Sequence, residues 1–230
     1  MQVDNYSIHV DIHEAYRYMG GFGKPDNALE TELIKAAELI EKAATPRVIE
    51  IICAINKTNR LELTELGIYL EGKAIRALLH DSDSCVLFCA TIGGGVEALI
   101  RKWQLKNLSF TSMLDACASS AVESLCDGVE ARLTQFYSAQ GLFLTDRFSP
   151  GYGDLPIEIQ PALCSALDTS RKIGVSVTDS GIMIPRKSVT AVIGISKNAQ
   201  KHFEIGCRDC GRINNCNFRE NGVTCYGQII

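Results

Sequence analysis

The chain reads Ser-Cys-Val-Leu-Phe-Cys-Ala-Thr over residues 84–91. This stretch is as long as one strand, is apolar from position 85 to position 90, and is closed by Gly93-Gly94-Gly95. Such a run predicts a buried strand that ends in a glycine turn. Residues 96–103 then predict a helix. The middle of the chain is therefore expected to contain a strand, a turn and a helix in that order.

The three glycines have two interpretations. Backbone N–H groups at a helix N-terminus suit an anion such as phosphate. However, Gly93-Gly94-Gly95 belongs to neither G-x-G-x-x-G nor G-x-x-x-x-G-K-[ST]. A tight turn that needs a positive φ is the favoured interpretation.

Helical periodicity is clear on both sides of this strand. Asp26 is a suitable N-cap, and apolar side chains then recur at helical spacing as far as Pro46. A longer series of apolar and small side chains predicts one helix over about residues 112–137. Residues 158–167 predict a further helix.

Short β-branched or alternating runs predict the remaining strands. The clearest is residues 47–55, and residues 61–69 are expected to form another strand or a hairpin. Residues 6–12 alternate as in a half-buried strand, although residues 11–19 could equally open a short helix. Three short strands are expected late in the chain, at residues 175–177, 182–184 and 189–195.

The composition is that of a folded protein without a nucleic-acid or membrane partner. The 230 residues are 46% hydrophobic and carry a net charge of −4, with Lys and Arg scattered along the chain, so no basic surface for nucleic acid is expected. The N-terminus lacks the basic and apolar segments of a signal peptide. No apolar run reaches the roughly 20 residues of a bilayer span. A cytoplasmic protein is the expectation.

The ten cysteines fall into two groups. In a reducing compartment a Cys acts as a small buried hydrophobe, a metal ligand or a redox group rather than as a disulfide. Six lie in apolar periodic segments and are expected in the core: Cys53, Cys85, Cys89, Cys117, Cys126 and Cys164. The other four lie together in a polar tail: Cys207, Cys210, Cys216 and Cys225.

The tail cysteines have the spacing of a metal site. Cys207 and Cys210 form a C-x-x-C pair, and the two later thiols could complete an S₄ shell for zinc or hold an iron–sulfur cluster. The second C-x-x-C of a zinc ribbon is missing, so Cys225 could instead be a bystander. A set of free or redox-active thiols is the alternative.

Residues 147–156 read Arg-Phe-Ser-Pro-Gly-Tyr-Gly-Asp-Leu-Pro. Glycines let a ligand approach the backbone, and prolines lower the entropy lost when a loop is ordered. Arg147 can clamp a carboxylate with two hydrogen bonds, and Tyr152 offers both a π-face and a hydroxyl. From composition alone, a ligand loop and a rigid connection are about equally supported.

At this point the sequence resembles the reactivation domain of cobalamin-dependent methionine synthase, whose S-adenosylmethionine loop reads R-x-x-x-G-Y-P-A-x-P. Arg147, Gly151, Tyr152 and Pro156 match it at the same spacing. Downstream, residues 178–189 resemble the family's T-E-S-x-x-M-x-P-x-x-S-V. Upstream, Glu123 lies where the family's helix carries a ligand-contacting Glu. The resemblance covers about residues 85–195, and the N-terminal part resembles small free-standing relatives.

The resemblance implies a set of ligand contacts. Arg147 would hold the methionine carboxylate, and the backbone at Pro150 and Gly151 would contact the amino-acid and ribose portion. Glu123 would face a cationic or hydroxyl group. Tyr152 and Asp154 complete the expected S-adenosylmethionine site.

One departure from the family loop bears on the ligand. Gly153 and Asp154 replace the family's Pro-Ala. We expect this exchange to loosen the loop and to place a negative charge near the ligand. The charge of Asp154 either attracts the cationic groups of S-adenosylmethionine or indicates a different ligand. The family also has a ligand-contacting Asp early in its sequence, and no residue of this chain can be assigned to that position.

The resemblance also implies a function. Reactivation domains present S-adenosylmethionine so that one-electron reduction of an inactive cobalt is trapped by methylation. No D-x-H-x-x-G corrin motif is present, so cobalamin is expected to arrive on a partner. That partner would be a corrinoid protein or a methionine synthase lacking its own reactivation domain, served by a separate electron donor. As part of that system the chain would take part in an enzymatic methyl transfer. The alternative is a metal-bearing redox or interaction module that keeps the fold without binding S-adenosylmethionine.

The expected fold class is α+β, with a mixed, mostly antiparallel sheet packed with long helices, as the resemblance implies. We expect an N-terminal α/β lobe over residues 1–80 and a ligand-binding core over residues 81–198. A Cys-rich tail is expected over residues 199–230.

Overall fold

The computed structural model describes residues 6–199 and 216–220. The helices are α1 (Ile12–Tyr18), α2 (Asn27–Ala43), α3 (Lys73–Leu78), α4 (Gly94–Gln104), α5 (Leu108–Ser138), α6 (Gln160–Leu167), α7 (Thr169–Ile173) and α8 (Asn217–Glu220). The strands are β1 (Arg47–Asn56), β2 (Glu62–Leu63), β3 (Ile68–Tyr69), β4 (Ser82–Thr91), β5 (Phe143–Leu144), β6 (Ser176–Val177), β7 (Met183–Ile184) and β8 (Ser188–Ser196).

Six of these strands form one sheet in the order β3-β2-β1-β4-β8-β5, and every neighbouring pair is antiparallel. The strands β6 and β7 pair separately as a small hairpin. The expected α+β class with an antiparallel sheet is therefore confirmed. The predicted division at residue 80 remains a prediction. Strand β1 from the first segment pairs with β4 from the second, so the sheet extends across this boundary.

Strand β4 is apolar from Cys85 to Ala90, where both of its faces are buried. Val86, Phe88 and Ala90 face a core formed with α1, α2, α4 and α5, whereas Leu87 and Cys89 face a second core with α3, α6 and α7. Strands covered on both faces lose the polar alternation of a half-exposed strand. The sheet is thus the middle of three layers, with the longer helices on one side and the shorter ones on the other.

Helices α2 and α5 begin directly after N-cap residues. Asp26 caps α2 by accepting from Leu29 N at 2.8 Å, and Asn107 caps α5 by accepting from Phe110 N at 3.0 Å. Gly93 has a φ of 85° before α4, so the tight-turn interpretation of the glycines is confirmed. All six cysteines predicted for the core are buried.

One strand prediction is wrong. Residues 6–11 form no strand, and α1 begins at Ile12 after the N-cap Asp11. Helix side chains satisfy this backbone instead: Val10 N donates to Glu41 Oε1 at 2.9 Å, and Asp11 N donates to Ser120 Oγ at 2.9 Å. The alternative of a short helix over residues 11–19 is confirmed.

No helix within residues 6–199 and 216–220 is long and apolar enough to cross a bilayer. The tail cysteines Cys207, Cys210 and Cys225 lie outside the described residues. Cys216 is half-buried just before α8, whose Glu220 N donates to Cys216 O at 3.1 Å.

Two glycines test how tightly the layers pack. Gly194 of β8 has no room for a methyl group, because an added Cβ would lie 2.7 Å from Leu79 Cδ2 and 2.9 Å from Thr145 Cγ2. We expect Gly194→Ala to lower the free energy of unfolding by about 1–3 kcal/mol through overpacking.

Gly128 of α5 provides the matched control. It is exposed, and an added Cβ would meet only Tyr6 Cδ1, at 3.9 Å. Gly128→Ala should therefore raise stability by about 0.5–1 kcal/mol, because alanine is the better helix former. Urea unfolding followed by circular dichroism measures both variants, and equal effects would contradict the packing described here.

Candidate ligand site at the edge of the sheet

The segment from β5 to Phe148 runs along the free side of β8. Thr145 N donates to Gly194 O at 3.0 Å, and Phe148 N donates to Val192 O at 2.9 Å. Phe148 is buried in the core on the α6 side of the sheet. Because neighbouring residues of an extended chain point to opposite faces, Arg147 is directed to the α5 side.

Three carboxylates of α5 surround the Arg147 guanidinium. Its NH2 donates to Glu123 Oε2 at 2.6 Å, while NH1 donates to Asp127 Oδ1 at 2.7 Å and to Glu130 Oε2 at 2.6 Å. Positions four and seven residues apart share one face of a helix. Glu123 was predicted from the sequence, whereas Asp127 and Glu130 were not, although this spacing places them on the same helix face.

Glu130 also fixes the backbone of the loop. Its Oε1 accepts from Arg147 N at 3.2 Å, so one carboxylate holds both the main chain and the side chain of Arg147. Burial raises the pKa of the Glu130 carboxyl above its usual value, and the charge of Arg147 offsets only part of this effect. Burial acts to lower the pKa of Arg147, but the charges and hydrogen bonds of its partners raise it by more. The guanidinium therefore stays charged.

The loop that follows is closed by its own backbone. Gly151 N donates to Leu155 O at 2.9 Å, and Leu155 N donates to Tyr152 O at 3.0 Å. Gly151 and Gly153 have φ angles of 87° and 53°, which side-chain-bearing residues rarely adopt. Pro150 is buried, whereas the Tyr152 side chain is exposed and lies edge-on to Phe148.

The expectation that Gly153 and Asp154 loosen the loop is wrong. Asp154 Oδ2 accepts from Lys73 N at 2.6 Å, and Oδ1 accepts from Ala74 N at 3.0 Å. The carboxylate thus caps the first turn of α3 from a distant part of the chain. An added Cβ at Gly153 would lie 3.3 Å from Ala74 Cβ, so this position needs glycine for close packing as well as for its φ. Asp154 anchors the loop, and its role as a ligand contact remains a prediction.

The downstream motif, residues 178–189, forms a turn that packs next to the end of the loop. Thr178 shapes the β6–β7 turn, since its Oγ1 accepts from Ile182 N at 3.1 Å. The turn packs on the segment after the loop: an added Cβ at Gly181 would lie 3.0 Å from Ile157 Cγ1. Ser188 Oγ donates to Pro185 O at 2.7 Å. The motif is therefore a turn held by its own hydrogen bonds that packs on Ile157, the residue directly after the loop.

Helix α1 lies beside the acidic face of α5. Tyr18 OH donates to Glu14 Oε1 at 2.9 Å, and Arg17 pairs with the same carboxylate at 3.2 Å. Burial raises the pKa of Tyr18, and the charges of Glu14 and Glu123 raise it further. The charge of Glu123 thus acts on Tyr18, a residue that was not predicted from the sequence to belong to the site.

Comparison with known proteins gives a shared fold and a family. No curated protein sequence matches the chain. A solved structure, described as the MetH reactivation domain bound to AdoHcy, is similar with a TM-score of 0.62 and 16% sequence identity. The match covers 94% of this chain and 82% of that one, and it shows a shared fold.

The family match covers most of the elements described above. Residues 75–219 match the family model of the vitamin B12 dependent methionine synthase activation domain. The matched segment includes Glu123, the loop at residues 147–156 and the downstream motif. This chain therefore belongs to the activation domain family of vitamin B12-dependent methionine synthase.

Proposed function

We propose that this chain binds S-adenosylmethionine at the Arg147 loop and serves as the reactivator of a cobalamin-dependent methyltransferase, in the first instance a methionine synthase. The observation that carries this proposal is the setting of Arg147. Its guanidinium is held rigidly at the edge of the sheet, beside a backbone loop with two glycines of positive φ. A preorganised guanidinium of this kind suits the carboxylate of an amino-acid ligand.

The number of donors on Arg147 is sufficient for this role. A guanidinium has five N–H donors, and the three contacts with α5 use three of them. Two donors therefore remain for a ligand carboxylate, which could bind without displacing the helix. The peptide groups at Pro150 and Gly151 would then contact the amino-acid and ribose portion, and Glu123 would face a cationic or hydroxyl group. Tyr152 and Asp154 complete the proposed site.

The chemistry requires positioning rather than proton transfer. A corrin bound to the partner would supply a cobalt able to accept the methyl group after one-electron reduction by an external donor. The sulfur keeps both electrons of the broken S–CH₃ bond and leaves as a neutral thioether, so no general acid is needed. This chain would hold the donor with its methyl group outward, within reach of a docked corrin.

The partner that brings the corrin is part of this proposal. We expect either a corrinoid protein or a methionine synthase without its own reactivation domain, together with an electron donor, all in the cytoplasm. Support comes from the family, whose model is that of an activation domain of a vitamin B12-dependent enzyme.

Arg147 provides the first test. We expect Arg147→Ala to weaken S-adenosylmethionine binding by about 10- to 100-fold, because a charged hydrogen-bond pair with the ligand is lost. Arg147→Lys keeps the charge but not the planar pair of donors, and should weaken binding by a smaller factor. Equilibrium dialysis with labelled ligand measures both.

The matched control is Arg171→Ala on α7. It breaks an exposed ion pair, Arg171 NH2 to Asp168 Oδ2 at 2.6 Å, and should leave binding unchanged. Circular dichroism confirms that each variant is folded. Absence of binding by the native chain, or equal binding by native and Arg147→Ala proteins, would reject the proposal.

Asp154 provides a pH-dependent test. The hydrogen bonds from Lys73 N and Ala74 N lower the pKa of its carboxyl below the ordinary 3.8. The stabilisation that it contributes is present above its unfolded pKa and is lost as the pH falls through the lower folded pKa. Asp154→Asn should therefore be less stable than the native chain at pH 7, and the difference should shrink on acidification. Urea unfolding across this pH range measures it, and a constant difference would contradict the anchoring role.

The tail motivates a separate proposal, that Cys207, Cys210, Cys216 and Cys225 bind a metal. The C-x-x-C pair and the two later thiols support it. An iron–sulfur centre would suit a protein whose partner needs an electron, and it would also fit the second candidate function, a redox or interaction module. Zinc would instead stabilise the tail.

Metal analysis with an anaerobic visible spectrum tests this proposal. Iron with absorption at about 400 nm indicates a cluster, and zinc without colour indicates a structural site. The double variant Cys207→Ser/Cys210→Ser should lose the metal, whereas Cys53→Ala, in the core, should keep it. A native chain that holds neither metal contradicts the proposal.

A further inference from the structure

The charges around Arg147 do not balance. Glu123, Asp127 and Glu130 all contact one guanidinium, so with the three carboxylates ionised this cluster has a net charge of −2. The ion pair on α1 between Arg17 and Glu14, at 3.2 Å, adds no net charge. The proposed ligand therefore enters a site that is already negative.

A carboxylate alone would be repelled by this site. The three carboxylates of α5 contact NH1 and NH2 of Arg147 at 2.6–2.7 Å. A ligand carboxylate that binds the remaining donors is therefore separated from these three carboxylates by no more than the width of the guanidinium. Its negative charge must be compensated by positive charges on the same ligand. S-adenosylmethionine carries two, the α-ammonium and the sulfonium, and its demethylated product keeps only the ammonium.

We infer that Asp127 and Glu130 make this site selective for the sulfonium cation over the neutral thioether, so that the charged methyl donor binds more tightly than the product. The inference rests on the proposed function and adds two specificity-determining residues to its site. It also implies that methyl transfer favours release of the product, because loss of the methyl group removes one of the two positive charges that favour binding.

The two carboxylates differ in what else they do. Glu130 is 29% exposed and also holds the backbone of Arg147, so its replacement disturbs the loop as well as the charge. The Asp127 side chain is 68% exposed and contacts Arg147 NH1. Asp127→Asn keeps the shape of the side chain and changes mainly the charge, which makes it the more informative variant.

Helix α5 also contains a matched control. Asp115 is exposed and pairs with Lys187 at 3.0 Å, so Asp115→Asn likewise removes a carboxylate from an ion pair. Twelve residues separate Asp115 from Asp127, a rise of about 18 Å along the helix. That separation exceeds the Debye length of about 8 Å at physiological salt, so this change should not reach the ligand.

The experiment measures the ratio of dissociation constants for S-adenosylhomocysteine and S-adenosylmethionine by calorimetry. In the native chain at low salt we expect S-adenosylmethionine to bind about 5- to 10-fold more tightly. Asp127→Asn should reduce this ratio by about 2- to 5-fold, the size of one partly exposed charge interaction. Asp115→Asn should leave it unchanged, and 0.5 M salt should reduce the native ratio because the charges are screened.

The outcomes separate this inference from the function on which it rests. If S-adenosylmethionine binds with no preference over the product, or if Asp127→Asn leaves the ratio unchanged, the charge selection is wrong and the proposed function stands. If the native chain binds neither compound, the proposed function fails and this inference fails with it. A ratio that changes equally in Asp115→Asn would assign the effect to overall charge and would also overturn the inference.

Discussion

Burial of both faces of β4 is the constraint on which the rest of this structure depends. Val86 and Phe88 face one core and Leu87 and Cys89 the other, so helices must cover the sheet on both sides. Each large side chain that is removed from water contributes about 1.5–3 kcal/mol. Because β1 and β8 flank β4 on either side, the polar and functional segments are confined to the ends and edges of the sheet.

The position of the loop at residues 147–156 is a consequence of that edge. Within residues 6–199 and 216–220, the sheet continues beyond β8 through β5 and the bridge between Phe148 and Val192. This short pairing determines the side of the sheet on which the Arg147 side chain lies. The residues that follow form a loop closed by hydrogen bonds between their own backbone groups. The arrangement combines a rigid frame with a loop whose backbone can approach a ligand, which is a common basis for binding sites.

The acidic face of α5 gives the loop its electrostatic character. A single arginine surrounded by three carboxylates is well held, but the excess negative charge must be offset by whatever binds there. A ligand with two cationic groups and one carboxylate has the matching charge pattern. Under the proposed function, the same contacts that position Arg147 would bias the choice of ligand, which links the anchoring of the loop to its proposed specificity.

Residues with strong local signals were predictable from sequence. The apolar run of β4, the N-cap at Asp26, the glycine turn at Gly93 and the long helix α5 all follow from periodicity and capping, which depend on near neighbours in the chain. The family resemblance of the loop and its downstream motif is confirmed by the family match over residues 75–219.

Other features were decided only by the tertiary structure. Residues 6–11 alternate like a strand, yet their backbone bonds to side chains of α2 and α5, a choice that depends on helices distant in sequence. Asp154 reads as a ligand contact or a disruption of the loop, but 80 residues away the first turn of α3 offers it two unpaired N–H groups. Local sequence singled out Arg147 as the centre of the proposed site. Its surroundings could not be read from local sequence, because long-range packing brings the α5 carboxylates to it.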